Sequence, residues 1–472
     1  MDKTIEHYVA GLGVDAYLVG GAVRDELLGR DSTDADFLVP AVDHAALRRA
    51  LEPHGRVEDM IVADQLVGVR LHAKDPEVRR RAPAGIEFTP PRAERSTGPG
   101  RHDFVIVAGS SVTVEDDLGR RDFTINAIAR RLATRELIDP HRGRADLSAR
   151  TLRTVSPRSF QEDALRLVRG LRFVSQFDLD PDEETLRQMV EEAPRVRTVS
   201  GERVGGGLRA DGLGELSKLL LGAHPLKALR LARDTGVLVE LLPEFRRAIG
   251  YDQESRFHDL TLDEHTFAVV QAAADAGAPL PVRLAGLFHD LGKPHVAWRG
   301  TDGRLHYYAK GGYAAKGHEE VGGELAAAAL RRLRYPTSLQ ARVRKIVRRH
   351  MLEVGRADAV RARRLLAKHG AELAFDLIDH RLADVRGKRT PDREPATNEI
   401  ERLEAFRRVL EEERSSPYRV ADLAIDGNDL ITLGFLPGPK LGRTLDELRW
   451  QVVGNPVLNS REWLEKRAAE LL

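Results

Sequence analysis

Short apolar runs dominate the first 150 residues and predict strands. Segments rich in Val, Ile, Leu and Phe recur as AYLV, DFLV, LVGVRL, GIEFT and DFVIV, and such runs are typical of half-buried strands. Within RDFTINAIARRLA, Phe123, Ile125, Ile128 and Leu132 have the spacing of a helix face, which predicts a helix there. This part of the chain is therefore expected to be a small α+β domain with a mixed or antiparallel sheet.

After residue 155 the strand pattern gives way to helical periodicity. EDALRLVRGLRFVSQF, DEETLRQMVEEA, HPLKALRLARDTGVLVELL and RLAGLFHDLGK all space apolar residues three or four apart, as helices with one buried face do. A Gly-rich stretch at 201–215 and a polar stretch at 386–399 predict junctions. We expect four domains, namely an α+β head, a helical neck, a second helical domain and a helical tail (1–155, 156–250, 251–390 and 391–472).

Composition excludes several classes of protein. The chain of 472 residues has no Cys and a net charge of +1, which excludes disulfides, thiolate metal sites and a general polycation. No stretch approaches the roughly 18 apolar residues of a membrane span, and the N-terminus lacks the pattern of a secretory signal. We therefore expect a cytoplasmic protein with no membrane partner.

The segment LVGGAVRDELLGRDSTDADFLV (18–39) carries the first candidate chemistry. A strand ends at Gly20-Gly21 and a helix follows, so backbone N–H groups at the helix start can approach phosphates, with Arg24 nearby. Asp34 and Asp36 alternate as the chain enters the next strand, and alternate strand residues share one face. Mg²⁺ held by such carboxylates and by substrate phosphates is the expected result; a solvated acidic turn is the alternative.

In combination, these features resemble the nucleotidyltransferase superfamily, and in particular the bacterial class II tRNA nucleotidyltransferase and poly(A) polymerase family. The resemblance implies that Gly20 and Gly21 hold the triphosphate and that Asp34 and Asp36 are catalytic and bind Mg²⁺. Arg24 matches the Arg of the Arg-Asp pair that follows the glycines. Glu87 in GIEFT is either a third acidic group or an ordinary strand residue.

Three further segments match this family in order. GRRDFTINA (119–127) is similar to the motif that contacts the nucleotide sugar, and IDPHRGRADLSARTLRTV (138–155) to the connection between head and neck. EDALRLVRGLRF (162–173) resembles the helix that reads the base. The implied nucleotide-binding residues are Arg121, Asp122, Asn126, Asp163, Arg166 and Arg169. One departure is the GGGLRADGLG insertion, which lies between GERV and the helix ELSKLLL.

Asp163 and Arg166 can select bases if both lie on one helix, because residues three apart share a face. A carboxylate accepts and a guanidinium donates. Cytosine and adenine offer an amino donor beside a ring acceptor, whereas uracil and guanine offer the reverse. The pair therefore accepts CTP and ATP and rejects UTP and GTP, whereas the alternative is an i,i+3 surface ion pair.

A second candidate site is rich in His and Asp. His289-Asp290 ends an apolar helix in LAGLFHDLGKPH, with His265 upstream and Asp384 downstream. Imidazole and carboxylate suit transition metals such as Ni, Mn, Fe or Zn. The pattern resembles the HD phosphohydrolase superfamily, which implies a helical bundle with His265, His289, Asp290 and Asp384 on metal and with His318 and His350 as further ligands or phosphate contacts. A remnant kept for packing or RNA binding is the alternative.

The resemblance implies template-independent addition of CCA to the tRNA 3′ end from CTP and ATP, with a second hydrolytic activity. The alternatives are a poly(A) polymerase, an enzyme adding only CC or only A, and a phosphohydrolase with a passive head. Residues 331–364 contain 12 Lys or Arg against Glu353 and Asp358, a charge that suits RNA phosphates or a solvated helical face. No protein partner is implied.

Overall fold

The computed structural model describes residues 2–31, 36–62, 65–96, 104–108, 111–206, 213–254, 259–309, 316–388 and 397–472. The chain divides into two compact units, Met1–Val204 with Lys227–Leu241 and Gly205–Leu226 with Leu242–Leu472. The finer division into four domains stays a prediction. Asp34 lies outside the described residues.

The head is built on a seven-stranded mixed sheet in the order β3-β4-β5-β2-β1-β8-β9. Only the β2–β5 pair is parallel among the described neighbours in this sheet. Phe37 of β2 stacks on Phe88 of β5 at 5.6 Å in the core. The five strands expected from the apolar runs are confirmed. The head strands are β1 (Tyr17–Val19), β2 (Asp36–Leu38), β3 (Gly55–Val62), β4 (Gln65–Ala73), β5 (Ile86–Thr89), β6 (Arg92–Ser96), β7 (Phe104–Ala108), β8 (Ala129–Arg131) and β9 (Leu137–Ile138).

The helix expected over RDFTINAIARRLA is wrong. Thr124–Asn126 form one turn of 3₁₀ helix, and the following residues form strand β8 against β1. The apolar side chains at helical spacing are buried by tertiary contacts instead, with Phe123 edge-on to Phe173 at 5.7 Å. Pairing with β1 outweighs the local helical pattern here, because the backbone groups of β8 form hydrogen bonds with β1.

Helices dominate the chain after the head, as the sequence predicts. The short strands β10 (Thr151–Leu152) and β11 (Asp180–Pro181) pair parallel within the first unit. The helices up to residue 241 are α1 (Lys3–Ala10), α2 (Gly21–Leu27), α3 (His44–Leu51), α4 (Pro76–Arg81), α5 (Val114–Gly119), α6 (Gly143–Ser148), α7 (Ser159–Glu162), α8 (Leu165–Phe177), α9 (Glu183–Glu192), α10 (Gly201–Gly205), α11 (Glu215–Leu220), α12 (Pro225–Asp234) and α13 (Val237–Leu241).

The second unit is a helical bundle in which α14, α15, α17, α18 and α20 pack on one another. A small hairpin, β12 (Trp298–Arg299) with β13 (Leu305–His306), interrupts it. The helices after residue 241 are α14 (Leu262–Asp275), α15 (Leu280–Phe288), α16 (Lys293–Val296), α17 (His318–Arg332), α18 (Thr337–Val347), α19 (Ala359–His369), α20 (Ala371–Gly387), α21 (Thr397–Glu412), α22 (Gly427–Thr432), α23 (Pro439–Gly454) and α24 (Arg461–Ala469).

The two ends of the Gly-rich insertion lie next to each other. The Gly214 N–H donates to the carbonyl of Gly205 at 3.1 Å, so the two ends of the insertion are neighbours, while residues 207–212 lie outside the described part. Gly206 has φ +98°, a conformation that favours glycine.

Among the described residues, no helix has the length and apolar character needed to cross a membrane.

Candidate functional site

The Gly-Gly turn of the head has the geometry of a close backbone approach. Gly20 has φ +67°, and a Cβ there would lie 2.5 Å from Nη1 of Arg121. It is the N-cap of α2, whose first residue is Gly21. Residue 20 must therefore be glycine both for its backbone angle and for the space that Arg121 occupies.

Two carboxylates meet beside this turn. Asp36 begins β2 and is in register with Glu87 of the parallel neighbour β5, so their side chains lie on the same face of the sheet. Asp36 is exposed, and Glu87 forms an ion pair with Arg70. Oxygen donors of this kind suit Mg²⁺. Where Asp34 lies relative to Asp36 falls outside the described residues.

A largely buried chain of hydrogen bonds connects four of the expected nucleotide-binding residues. Arg24 Nη1 donates to Asn126 Oδ1 at 2.6 Å, Asn126 Nδ2 donates to Asp122 Oδ1 at 2.9 Å, and Arg169 Nε donates to Asp122 Oδ2 at 2.8 Å. The Arg24 guanidinium also lies over Phe177, 4.5 Å from the ring centroid. The chain fixes α2, the 3₁₀ turn and α8 together, and Arg24 is a buried member of it.

Charge keeps Asp122 ionised inside this chain. Burial alone would raise its pKa, but Arg169, the Asn126 hydrogen bond and Arg166 together hold the pKa of Asp122 well below its ordinary value. Asp117, a residue that the sequence analysis missed, is similar. Burial would raise the pKa of Asp117, but Arg120 and Arg121 lower it below the ordinary value. Arg121 Nη2 donates to the Asp117 carboxylate at 3.1 Å. Asp117 therefore orients the Arg121 side chain beside Gly20.

Asp163 does not lie on the helix that carries Arg166, which corrects the expectation. Asp163 lies between α7 and α8 with extended backbone (φ −148°, ψ 106°), and its carboxylate accepts from the Leu165 N–H. Arg203 Nη1 and Nη2 donate to it at 2.9 and 2.5 Å. Burial raises its pKa, but Arg203 brings the pKa of Asp163 below the ordinary value.

Arg166 has other partners, namely the Arg120 carbonyl at 2.9 Å and Glu162 at 2.8 Å. Asp163 and Arg166 therefore have different hydrogen-bond partners and do not bond to each other directly. Arg203 lies in the GERV segment, and its partner was not evident from the sequence.

The predicted His and Asp ligands of the second unit come together in one buried cluster. His265 lies on α14, His289 and Asp290 directly follow α15, and Asp384 lies on α20. His289 is the C-cap of α15, and the side chains of His289 and Asp290 both face the cluster. His318 is the first residue of α17, and His350 follows α18. The cluster therefore takes its side chains from several different helices of the bundle and from the residues next to them.

The ligand atoms form two groups that share Asp290. His265, His289 and Asp290 offer atoms within 4.8 Å of one another, and so do Asp290, His318 and His350. Asp290 Oδ2 lies 3.2 Å from His289 Nε2, whereas Oδ1 lies 3.5 Å from Nε2 of both His318 and His350. Asp384 Oδ1 lies 3.3 Å from His265 Nε2. The Asp290 carboxylate thus faces His265 and His289 on one side and His318 and His350 on the other.

Backbone carbonyls fix the histidine tautomers. Nδ1 of His289 lies 2.9 Å from the Gly286 carbonyl, Nδ1 of His350 lies 2.7 Å from that of Val347, and Nδ1 of His318 lies 3.1 Å from that of Tyr307. A carbonyl only accepts, so Nδ1 carries the proton and Nε2 presents a lone pair. The Nε2 atoms of His318 and His350 are 3.2 Å apart. Two facing lone pairs favour a cation between them.

The charges around the cluster also suit a metal ion. Burial lowers the pKa of His265, and burial with His350 and Lys293 nearby lowers the pKa of His318 to about 4, whereas Asp290 and Asp384 raise the pKa of His289 despite its burial. Despite burial, neighbouring cations and histidines hold the pKa values of Asp290 and Asp384 well below the ordinary value. Neutral imidazoles and ionised carboxylates are the forms that bind metals. A mixed set of nitrogen and oxygen donors fits a divalent transition metal.

His380 belongs to the cluster but was missed in the sequence. It is fully buried, and neither ring nitrogen has a hydrogen-bond partner among the described residues. Its ring centroid lies 5.2 Å from that of His289 and 6.0 Å from that of His350. Its only signal is the spacing of four to Asp384 on an apolar helix, which places both residues on one face.

The basic run at 331–364 is partly neutralised in the structure. Arg332 pairs with Glu244, Arg342 with Asp376, Arg348 with Glu320 and Arg363 with Glu413. The excess charge that the sequence indicates is therefore smaller than the local count. The acids that reduce it come from distant parts of the chain, which a count over one window cannot include.

Comparison with known families matches this layout from head to bundle. The family described as Poly A polymerase head domain matches residues 16–153, the family described as probable RNA and SrmB-binding site of polymerase A matches 178–249, and HD domain matches 262–396. The three matches follow one another in the order that the sequence analysis expects.

Curated relatives are multifunctional CCA proteins. That of Alkalilimnicola ehrlichii is 37% identical over 361 residues, 74% of this chain and 77% of the relative. That of Ralstonia nicotianae is 39% identical over 290 residues, 60% of this chain. The matched region spans only 62%, 63% and 62% of the length of three such relatives.

Solved structures share the fold over nearly the whole chain. The CCA-adding enzyme of Bacillus stearothermophilus in complex with CTP is 24% identical, with a TM-score of 0.64 over 99% of this chain and 95% of that one. The Thermotoga maritima CCA-adding enzyme complexed with tRNA is 19% identical, with a TM-score of 0.55 over 100% of this chain and 94% of that one. By fold and by its relatives, the chain belongs to the family of multifunctional CCA proteins.

Proposed function

We propose that the head adds CCA to the 3′ end of tRNA, without a template, from CTP and ATP. The observation that carries this proposal is the Asp36–Glu87 register beside the strained Gly20 turn, in a chain whose relatives are named multifunctional CCA proteins. Solved structures of the same fold are described as complexes with CTP, ATP and tRNA. We expect this protein to act in the cytoplasm on the tRNA acceptor end.

The side chains of the head have distinct tasks in this reaction. Asp36, with Asp34, would hold Mg²⁺, which supplies activation of the attacking 3′-hydroxyl and neutralisation of the triphosphate. The backbone N–H of Gly21, at the start of α2, would donate to a phosphate oxygen, whereas the N–H of Gly20 donates to the Ile128 carbonyl at 3.2 Å. Arg121, oriented by Asp117, adds a cation beside the turn. Asp122 and Asn126 hold the sugar end, and Arg169 keeps Asp122 in place.

Base choice would depend on an exchange of partners at Asp163. Its carboxylate is engaged by Arg203, so it can accept from the amino group of C or A only when the Arg203 contact opens or shifts. Arg166 would donate to the neighbouring ring acceptor. A wrong base leaves these groups unpaired, which costs about 1–3 kcal/mol for each. Selection by unpaired charge is the reason that no template is required.

The test of the head is nucleotide addition to defined tRNA ends. Purified protein receives tRNAs that end at the discriminator base, at C or at CC, with each nucleotide supplied separately. We expect C on the first two substrates and A on the third. Addition of C alone, of A alone or of a long A tract would replace this function with one of the partial activities. The Asp36→Ala variant serves as the blank.

We propose a second activity for the His–Asp cluster, the metal-dependent hydrolysis of phosphomonoesters or 2′,3′-cyclic phosphates. His265, His289, Asp290 and Asp384 would hold one ion and Asp290, His318 and His350 another, Ni²⁺ or Mn²⁺ being suitable, and these ions supply Lewis-acid chemistry at the phosphate. The supporting observation is the set of Nε2 lone pairs fixed by backbone carbonyls.

The chain's own residues complete this second site. Lys293 Nζ donates to Asp290 Oδ2 at 2.6 Å and to Gln253 at 2.8 Å, so it fixes the shared carboxylate. Hydrolysis of 2′,3′-cyclic AMP and 3′-AMP, measured with Ni²⁺ or Mn²⁺ and with EDTA, tests the proposal. Absence of any metal-dependent hydrolysis would leave the cluster as a structural support.

A further inference from the structure

A cavity of about 830 Å³ lies in the second unit beside the His–Asp cluster. Its walls come from the segment after His350, from α19, from Arg381 of α20 and from α21. This volume is within the range of pockets that hold small molecules the size of a nucleotide. Because its walls belong to the bundle alone, the cavity is distinct from the nucleotide site of the head.

The rim of the cavity carries a positive excess. Five cationic side chains and only two carboxylates, Glu353 and Glu399, line it. Three of these cations form no ion pair with any described residue, namely Arg364, Lys368 and Arg402. Unpaired cations around a concavity attract phosphate groups and are the usual partners of phosphate oxygens in proteins.

His369, in the cavity wall, is also affected by nearby positive charges. Burial, together with Arg349 and Lys368, lowers the pKa of His369 to about 4. It is therefore neutral at pH 7 and can both donate and accept hydrogen bonds.

Part of the cavity wall is apolar. Val354, Leu403 and Phe406 line it and are buried, with Leu403 only 1% exposed. An apolar floor below a cationic rim matches a ligand with a flat, weakly polar end and an anionic end. A nucleotide has this construction, with the base at one end and phosphates at the other.

Arg381 joins the cavity to the metal-binding cluster. Its Nη2 donates to Glu399 at 2.6 Å, and its Nη1 donates to Asp384 Oδ2 at 2.7 Å. The other oxygen of Asp384 faces His265 at 3.3 Å. Leu352 of the cavity wall is only two residues from His350. A phosphate at Arg381 would thus be one side chain away from a candidate metal ligand.

We propose that this basic cavity binds the phosphates of a nucleotide, either free or within an RNA strand, next to the His–Asp cluster. Arg364, Lys368 and Arg402 hold the phosphates, and the apolar floor receives the base. Binding at the cavity does not require hydrolysis at the cluster, so this proposal and the proposed hydrolase activity can fail separately.

Hydrogen–deuterium exchange of the full chain measures the binding locally. ATP, inorganic triphosphate, adenosine and a short single-stranded RNA are added in turn, and peptides covering 352–369 and 397–406 are followed. We expect ATP to protect both, triphosphate to protect them less and adenosine to leave them unchanged. Protection by RNA but not by ATP supports the same phosphate site with a strand as its source.

The Arg364→Ala, Lys368→Ala double variant identifies the cavity as the site. Both side chains are exposed and form no ion pair with described residues, so folding should be retained. We expect the Kd from ligand titration to rise about 10–100-fold through the loss of two charge-assisted contacts.

The matched control is Arg344→Ala, Lys345→Ala on neighbouring α18, which removes the same charge from exposed positions and should leave the Kd unchanged. The proposal is overturned if no probe protects these peptides, if adenosine protects them as well as ATP does, or if both double variants weaken binding equally.

Discussion

The head and the His–Asp cluster hold their charged groups in different ways. In the head, Asp36 is exposed at the start of a strand, and Asp163 and Arg166 are engaged by Arg203, Glu162 and a backbone carbonyl. In the bundle the candidate ligands are buried, and three histidines are fixed by backbone carbonyls. The proposed nucleotide site thus has charged groups at the surface or in exchangeable ion pairs, whereas the proposed ion site has buried side chains that are already oriented.

The largest effect is expected at Asp36. Asp36→Ala removes a carboxylate of the proposed Mg²⁺ site, and CTP addition should fall by about three orders of magnitude while circular dichroism stays unchanged. Glu115→Ala, an exposed acid on α5 of the same unit, is the control and should keep its rate. Wild-type addition by Asp36→Ala would refute the metal assignment.

The bundle should lose ions in a pattern set by Asp290. Asp290→Asn removes the carboxylate that both groups share, and inductively coupled plasma mass spectrometry after Mn²⁺ loading should find almost no bound metal. His265→Ala and His350→Ala each affect one group and should each keep about one ion per chain of an expected two. Equal loss in all three variants would show a single ion rather than two.

Asp163→Ala should change selectivity more than stability. Without the carboxylate, UTP and GTP no longer leave a buried acceptor unpaired, so discrimination against them should fall about 10–100-fold, and CTP and ATP use should decline. Single-nucleotide addition assays measure both, with Glu183→Ala, an exposed acid of α9, as the control. Intact selectivity with lower activity would make Asp163 a structural partner of Arg203.

Asn126→Ala should have the smallest effect, a loss of stability that accompanies the loss of its proposed contact with the nucleotide sugar. It removes the link between Arg24 and Asp122, and the unpaired groups should cost about 1–3 kcal/mol. Thermal unfolding of the head measures this, with exposed Asn398→Ala on α21 as the control. An unchanged unfolding temperature would show that the buried chain adds nothing to stability.

Local patterns predicted elements well where packing agreed with them. The five apolar runs became strands, and Asp36 lies at the start of one of them. The pattern failed at Phe123–Leu132, where β8 completes the sheet, and at Asp163, where the helix breaks. In both places a distant partner decides the backbone, and local periodicity contains no information about that partner.

Long-range assembly explains what else was missed. His380 has no motif around it apart from its spacing to Asp384, and Asp117 and Arg203 acquire their roles from Arg121 and Asp163. The sequence overstates the unpaired positive charge of the basic run at 331–364, because the carboxylates that pair with it are far away in sequence. Single residues become functional through neighbours that only the fold supplies.

We propose that this one chain carries two independent sites. The most direct measurement assays CTP and ATP addition to tRNA and Mn²⁺- or Ni²⁺-dependent hydrolysis of 2′,3′-cyclic AMP in the same preparations of three proteins: the parent, Asp36→Ala and the His289→Ala, Asp290→Ala double variant. We expect Asp36→Ala to lose addition and keep hydrolysis, and the double variant to lose hydrolysis and keep addition. Loss of both activities in a variant that remains folded by circular dichroism would contradict this account.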